Sequence, residues 1–262
     1  MKIQYAALSE TGLEKQENQD CLFCGADGTT GLFVVADGMG GHQDGARASG
    51  TIVEKVSVWW AQYLDTSPRP DFWKVLEELK ALFSQTNQEI YDYTEKGEIC
   101  GSTLVALWLE ESAWGILSCG DSRCYQTRGR ILKKQLIQLT TDDVWENQSR
   151  NVEGMTRQQI EASTNYGCLV KAVGVKPQFQ CSIQTDRYQE TSLFVLCSDG
   201  IYKYCSHDFL KKQSFLALRS GEPETAAHAI RDQVFQNGAG DNLSLVLVLA
   251  ERKQSSNRSG II

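Results

Sequence analysis

No stretch of this chain approaches the roughly 18 consecutive apolar residues of a membrane-spanning helix. Its opening, Met1-Lys2-Ile3-Gln4-Tyr5, lacks the apolar core of a secretion signal. The expectation is a cytoplasmic chain that stays off membranes. Basic residues are outnumbered: 26 Lys and Arg face 33 Asp and Glu, a net charge of -7. That balance argues against a nucleic-acid partner, because phosphate backbones select basic surfaces. Histidine is rare, with three residues far apart. The nine cysteines show no compact disulfide spacing, and the lone C-x-x-C of Cys21 and Cys24 has no second pair at zinc-site spacing. Thiols in a reducing compartment, packed as small core residues with Cys21 and Cys24 in a strand, fit this pattern. No internal repeat or interdomain linker interrupts the chain.

What is present is a chain of 262 residues, 41% of them hydrophobic, enough for one sizeable core. Ala48, Ile52, Val56, Trp59 and Tyr63 recur at helical steps. After Pro68 and Pro70 a second stripe, Phe72 to Ile90, keeps the same spacing through about residue 93. The two form a helical hairpin on this reading. A third helix begins after Pro223 and stops at Asn237-Gly238. Short apolar runs, Leu32–Ala36, Thr103–Leu109, Trp114–Cys119, Leu193–Cys197 and Leu243–Ala250, read as strands. They are too apolar for a half-exposed sheet, so two stacked sheets with helices outside is the arrangement that buries everything. The fold class is therefore α+β, a four-layer α-β-β-α sandwich of mainly antiparallel sheets. A single domain spans residues 1–250. A polar excursion at about 141–169, opened by the capping box Thr156-Arg157-Gln158-Gln159, reads as a mobile flap, and 251–262 as a disordered tail.

Aspartates mark the ends of these runs. Asp37, Asp121 and Asp199 follow strands, whereas Asp20 and Asp241 precede them. In antiparallel sheets one strand's end lies beside its neighbour's start, so all five carboxylates can share one edge. Gly38, Gly120, Gly200 and Gly240 beside them permit tight turns and close approach. Convergent carboxylates raise one another's pKa unless a cation neutralises them, and oxygen-only ligands favour Mg²⁺ or Mn²⁺. Taken singly, each Asp-Gly or Gly-Asp is an ordinary turn dipeptide. Together they make a carboxylate metal site, which leaves hydrolase, nuclease and calcium-binding module open.

Six segments in order narrow the choice: Glu17-Asn18-Gln19-Asp20, Val35-Ala36-Asp37-Gly38-Met39-Gly40-Gly41-His42, Gly101-Ser102-Thr103, Gly120-Asp121-Ser122-Arg123, Leu196-Cys197-Ser198-Asp199-Gly200 and Gly240-Asp241-Asn242. Over about residues 5–250 the chain resembles the type 2C (PPM) protein phosphatases in their compact bacterial form. The resemblance implies two packed antiparallel sheets with outer helices, and hydrolysis of phosphoserine and phosphothreonine on proteins by direct attack of a metal-bridging water. It implies two ions and a weaker third: Asp37 bridges, the Gly38 carbonyl binds one ion, Asp199 and Asp241 hold the second, Asp20 binds through water and Asp121 takes the third. Asn242 orients its neighbour. An opposing Ser/Thr kinase and a monomeric state complete the expectation.

Some positions depart from the family. Lys15 stands where an arginine usually grips the substrate phosphate, keeping the charge but losing the planar fork. Met39 stands where animal members carry a histidine general acid, which leaves leaving-group protonation to water on the metal or to His42. Val170-Lys171 replaces the usual Thr-Arg of the flap. Two rivals remain: a non-catalytic phosphatase-like binding module, which would be expected to have lost the carboxylates, and a two-metal enzyme acting on nucleic acid or small molecules.

Overall fold

Alternation along the apolar strands decides the architecture. In the strand Leu104–Leu109, Leu104, Ala106 and Trp108 pack toward helices, while Val105, Leu107 and Leu109 pack into a separate apolar layer. The strand Leu243–Glu251 does the same, with Leu243, Leu245, Leu247 and Leu249 on one side and Val246, Val248 and Ala250 on the other. A strand apolar on both faces must be covered on both faces, as the composition of these runs demanded.

The computed structural model describes residues 1–41, 44–94, 98–111, 113–129, 134–148, 152–187 and 190–251. In chain order the strands are β1 (Lys2–Glu10), β2 (Asp20–Ala26), β3 (Gly31–Gly40), β4 (Cys100–Ser102), β5 (Leu104–Leu109), β6 (Ala113–Cys119), β7 (Arg123–Arg128), β8 (Gln135–Gln138), β9 (Ser182–Arg187), β10 (Ser192–Cys197) and β11 (Leu243–Glu251). The helices are α1 (Asp44–Asp65), α2 (Phe72–Tyr93), α3 (Arg157–Glu161), α4 (Asp199–Tyr202), α5 (His207–Ser220) and α6 (Pro223–Gln236). One sheet runs β1-β11-β10-β7-β8 and the other β2-β3-β5-β6-β9, with β4 paired to β3. Every strand pairing is antiparallel.

Three apolar layers hold the sandwich. Phe33, Val35, Val105, Phe194, Leu196 and Val246 fill the space between the sheets. The hairpin α1–α2 closes over the second sheet through Ile52, Val56, Leu79 and Phe83, with the ring of Trp108 edge-on to Trp59, Trp60 and Tyr63. Helices α5 and α6 cover the first sheet through Leu210, Ala227, Ile230 and Val234. Each fully buried aliphatic side chain contributes roughly 1.5–3 kcal/mol. The fold class is thus α+β with two antiparallel sheets and outer helices, as the sequence indicated.

Some details differ from the sequence reading. Helix α5 escapes the periodicity argument because its buried face, Leu210, Ser214, Phe215 and Ala217, is short and carries a serine. Its ends are nonetheless well marked. Ser206 accepts from Phe209 N at 3.3 Å, and Gly221 at φ 77° closes the last turn. β11 reaches Glu251, one residue into the expected tail. Residues 252–262, the rest of that tail, lie outside the described residues. The excursion at 141–169 contains the capping box as expected: Gln159 N donates to Thr156 Oγ1 at 3.3 Å and Thr156 N to Gln159 Oε1 at 2.8 Å. Its base is fastened by the bridges Val144↔Leu169 and Ser102↔Val173. No helix among the described residues is long and apolar enough to cross a membrane.

Candidate metal centre

The innermost carboxylates face each other by strand register. β2 begins at Asp20 and pairs antiparallel with β3 so that Asp20 lies opposite Asp37. Asp37 does not end its strand, contrary to expectation. β3 continues to Gly40 because Gly38, Met39 and Gly40 pair with Ser102, Gly101 and Cys100 after the pairing with β5 stops at Val35. Asp37 sits at this change of partner, where its backbone is fixed from one side. Its N–H donates to Thr103 Oγ1 at 3.0 Å, and its carbonyl accepts from Thr103 N at 2.8 Å and Ser102 Oγ at 3.0 Å. Gly38 has no room for a side chain, because a Cβ there would collide with the carbonyl of Gly45 in α1 and with that of Gln19.

The other sheet brings Asp199 and Asp241. Asp199 is the first residue of α4, with Ser198 between it and β10, and Asp241 is separated from β11 by Asn242. A Cβ on Gly200 would collide with the Asn242 carbonyl, so the two segments touch through that glycine. Asn242 has a wider role than orienting its neighbour. It donates to the carbonyls of Thr11 and Glu17 at 2.8 and 2.9 Å and accepts from Gln19 N at 2.9 Å, fixing the loop that carries Lys15 and leads to Asp20.

Asp121 occupies the turn between β6 and β7 and is buried. Its Oδ2 accepts from the Tyr202 hydroxyl at 3.1 Å, which burial keeps protonated. Arg123 lies over the Tyr202 ring at 3.5 Å and grips Asp142 with Nε and Nη2. Asp143 supports the same turn: its Oδ2 accepts from Gly120 N at 3.2 Å and its Oδ1 from Lys171 Nζ at 2.6 Å. Lys171, at the position that departs from the family's flap, therefore ties the flap to the Asp121 turn. The sequence reading did not single out Asp142, Asp143 or Tyr202. The Asp142-Asp143 doublet was the available signal, but its partners are remote in sequence.

The electrostatics are those of crowded, buried acids. Burial pushes Asp20 up to about 6, against the hydrogen bond from Ser198, with Asp199 and Asp241 adding to the rise. Burial likewise raises Asp121 to about 6, helped by Asp199. Asp37 is pushed well above the carboxylate range by burial first, then by Asp20, Asp199, Asp121 and Asp241. All five aspartates thus belong to one electrostatic cluster. Two lysines touch its outer members: Lys15 Nζ lies 2.8 Å from Asp241 Oδ1, and Lys203 Nζ contacts Asp199 Oδ2. His42 lies outside the described residues.

One atom tests whether a cation fits. Asp20 Oδ2 accepts from Ser198 Oγ at 2.7 Å, but Asp20 Oδ1 is buried without a hydrogen-bond partner. A buried carboxylate oxygen facing other carboxylates is costly unless something positive meets it. The all-oxygen donor set suits a hard divalent ion. Among the described residues no three His, Cys, Asp or Glu side chains converge on one point as they stand. The donor chemistry suits such an ion, while the present side-chain positions leave the carboxylates apart, two of them held by lysines. A groove of about 690 Å³ is lined by Met39, two residues along β3 from Asp37, with Ile99, Leu169, Val175 and Lys176.

Comparison with known proteins bears on the family and the fold. The family model described as protein phosphatase 2C matches residues 13–234. The serine/threonine protein phosphatase PstP of Mycobacterium tuberculosis is 26% identical over 248 residues, covering 94% of this chain and 44% of PstP. The chain thus spans less than half the length of that relative. The serine/threonine phosphatase stp of Listeria monocytogenes is 26% identical over 226 residues, 83% of each chain. Among solved structures, the catalytic domain of PstP in complex with two manganese ions superposes with a TM-score of 0.74 at 25% identity, covering 94% of this chain and 97% of that one.

Proposed function

Because the chain belongs to the protein phosphatase 2C family, we propose that it is a metal-dependent phosphatase that hydrolyses phosphoserine and phosphothreonine on proteins. The observation that carries this reading is the set of five aspartates from two sheets, with the unpartnered Asp20 Oδ1 among them. In this reading Asp37 would serve both ions and the Gly38 carbonyl one of them, Asp199 and Asp241 would hold the second, Asp20 would support the pair through water, and Asp121 would serve a weaker third. Mg²⁺ and Mn²⁺ are the matching ions. Such ions neutralise a phosphoryl group and acidify water between them.

The residues themselves bind, orient and exclude. Thr103 and Ser102 fix the backbone of Asp37, so its carboxylate is aimed before any ligand arrives. Lys15 stands at the rim, half-exposed, on a loop fastened by Asn242, and supplies one positive charge to substrate phosphate. The groove at Met39 and Ile99 receives polypeptide flanking the phosphorylated residue. The working unit is residues 1–250 with its flap at about 141–169, acting as a monomer on phosphoproteins and opposing a Ser/Thr kinase. A thiol nucleophile has no support: burial pushes Cys24 and Cys119 each to about 12, far from thiolate.

Phosphopeptide hydrolysis measured with and without chelator tests the reading, with nucleotides as competing substrates. Chelation abolishes activity, Mn²⁺ restores it, and alkylating the exposed Cys168 changes little. Full activity in excess chelator, or a preference for nucleotides, sinks the proposal. Lys15 adds a finer expectation. Lys15→Arg offers a two-pronged grip and lowers KM for phosphopeptide, whereas Lys15→Ala raises it about tenfold, the scale of one exposed charge-assisted contact. Unchanged KM and kcat in both variants would make Lys15 a surface residue.

A further inference from the structure

Lys203 pairs with Asp199 from the end of the same short helix. Both residues sit on one helical turn: Lys203 N donates to the Asp199 carbonyl at 2.9 Å, and the Lys203 ammonium reaches back to Asp199 Oδ2. The lysine side chain is half-exposed, but the Asp199 side chain beneath it is only 15% exposed. The ammonium also feels Asp121 and Asp241. It thus lies within the field of three of the five clustered acids, on the solvent side of one of them. Lys15 approaches Asp241 from the loop before β2 and not from a shared helical turn.

We propose that Lys203 is a built-in counter-ion that occupies Asp199 in the metal-free protein and competes with the incoming divalent cation, setting how tightly the centre holds metal. The inference rests on the metal-centre reading above. Five crowded carboxylates repel one another, and a tethered ammonium relieves part of that repulsion without any ion from solution. When a divalent ion arrives, the same ammonium becomes an obstacle. It must give up Asp199 or remain beside a charge of its own sign. A unit charge about 5 Å from a divalent one, in a water-like dielectric, alters affinity by roughly a factor of ten. Lys203 therefore makes the centre less tenacious and the metal-free protein more stable. The contact lowers the free energy of one state at the expense of the other.

The test is calorimetric titration of the full chain with Mn²⁺, with thermal melting of metal-free and Mn²⁺-loaded protein, so that no step depends on turnover. Lys203→Gln and Lys203→Met remove the charge, the second keeping the apolar stem, and Lys203→Arg retains it. Both neutral variants bind Mn²⁺ about tenfold more tightly than the parent, and their metal-free melting temperature falls, so the shift on loading widens. Lys203→Arg stays within about twofold of the parent. Parental affinity in both neutral variants overturns the inference while leaving the metal centre intact. That is also the result if the ammonium serves only to grip phosphate. Equal losses of melting temperature with and without Mn²⁺ overturn it as well, since they show a packing role. If the parent itself binds no Mn²⁺, the metal-centre reading fails first and takes this one with it.

Discussion

Asp37→Asn will take bound Mn²⁺ and phosphatase turnover away together, yet leave the metal-free protein at least as stable as the parent. The substitution keeps the side chain's shape. Its backbone anchors, Thr103 and Ser102, are untouched. What it removes is the charge at the most crowded point of the cluster, where burial and four other aspartates hold the carboxyl well above its ordinary pKa. The sign follows from linkage. A carboxyl with a higher pKa in the folded state binds protons more tightly there, so stability falls as pH rises from the unfolded value through the folded one. At neutral pH that penalty is present in the parent and absent in the amide. The loss in rate is large, because ion-supplied charge stabilisation is worth several kcal/mol, on the order of 10³-fold or more. Melting and turnover measured on the same preparation decide the matter. A variant that keeps tight Mn²⁺ binding and parental kcat removes Asp37 from the centre.

Asp121→Ala is expected to lose turnover by another route. This carboxylate receives the Tyr202 hydroxyl, while the turn that carries it is held by other groups. Thr103 and Ser122 hydroxyls meet at 2.7 Å, and Asp143 binds Gly120 N. Removing the Asp121 carboxylate therefore leaves the turn in place. Burial raises its pKa to about 6, so the carboxylate is largely ionised at neutral pH at a cost to the folded state that the alanine does not bear, and the alanine should fold well. The variant keeps about two tight ions by calorimetry and loses on the order of 10²-fold in kcat, with KM little changed, because the missing interaction belongs to the transition state. A folded, two-ion variant with parental kcat excludes the third-ion role. A fall in melting temperature with unchanged kcat assigns Asp121 to the turn alone.

The carboxylates were legible because each stands next to a glycine or an apolar run, and strand ends are where antiparallel sheets bring remote residues together. The layer order was legible for a related reason: runs such as Leu104–Leu109 have no polar face to give to water. Asp37 shows the limit. Its strand looked finished because Gly38, Gly40 and Gly41 follow, but β4 supplies a second partner and carries the pairing on to Gly40. The supports of the centre were hidden for another reason. Arg123, Asp142, Asp143 and Lys171 carry ordinary surface chemistry, and only their meeting across the β6–β7 turn and the flap gives them a role. Lys203 is less conspicuous still, because a lysine four residues after an aspartate is among the commonest pairs on any helix.

The placement of the acids has a mechanical consequence. Asp20 and Asp37 belong to β2 and β3 of one sheet, whereas Asp199 and Asp241 adjoin β10 and β11 of the other. Between the sheets the filling is apolar, with side chains such as Phe33, Phe194 and Val246, whose cohesion has little direction. Ions bound by both sets of acids would act as a rivet at one end of the sandwich. Shear that slides one sheet over the other would then have to break several ionic bonds at once. The far end would carry no such fastening, so under load the sandwich should open first at the end away from the aspartates.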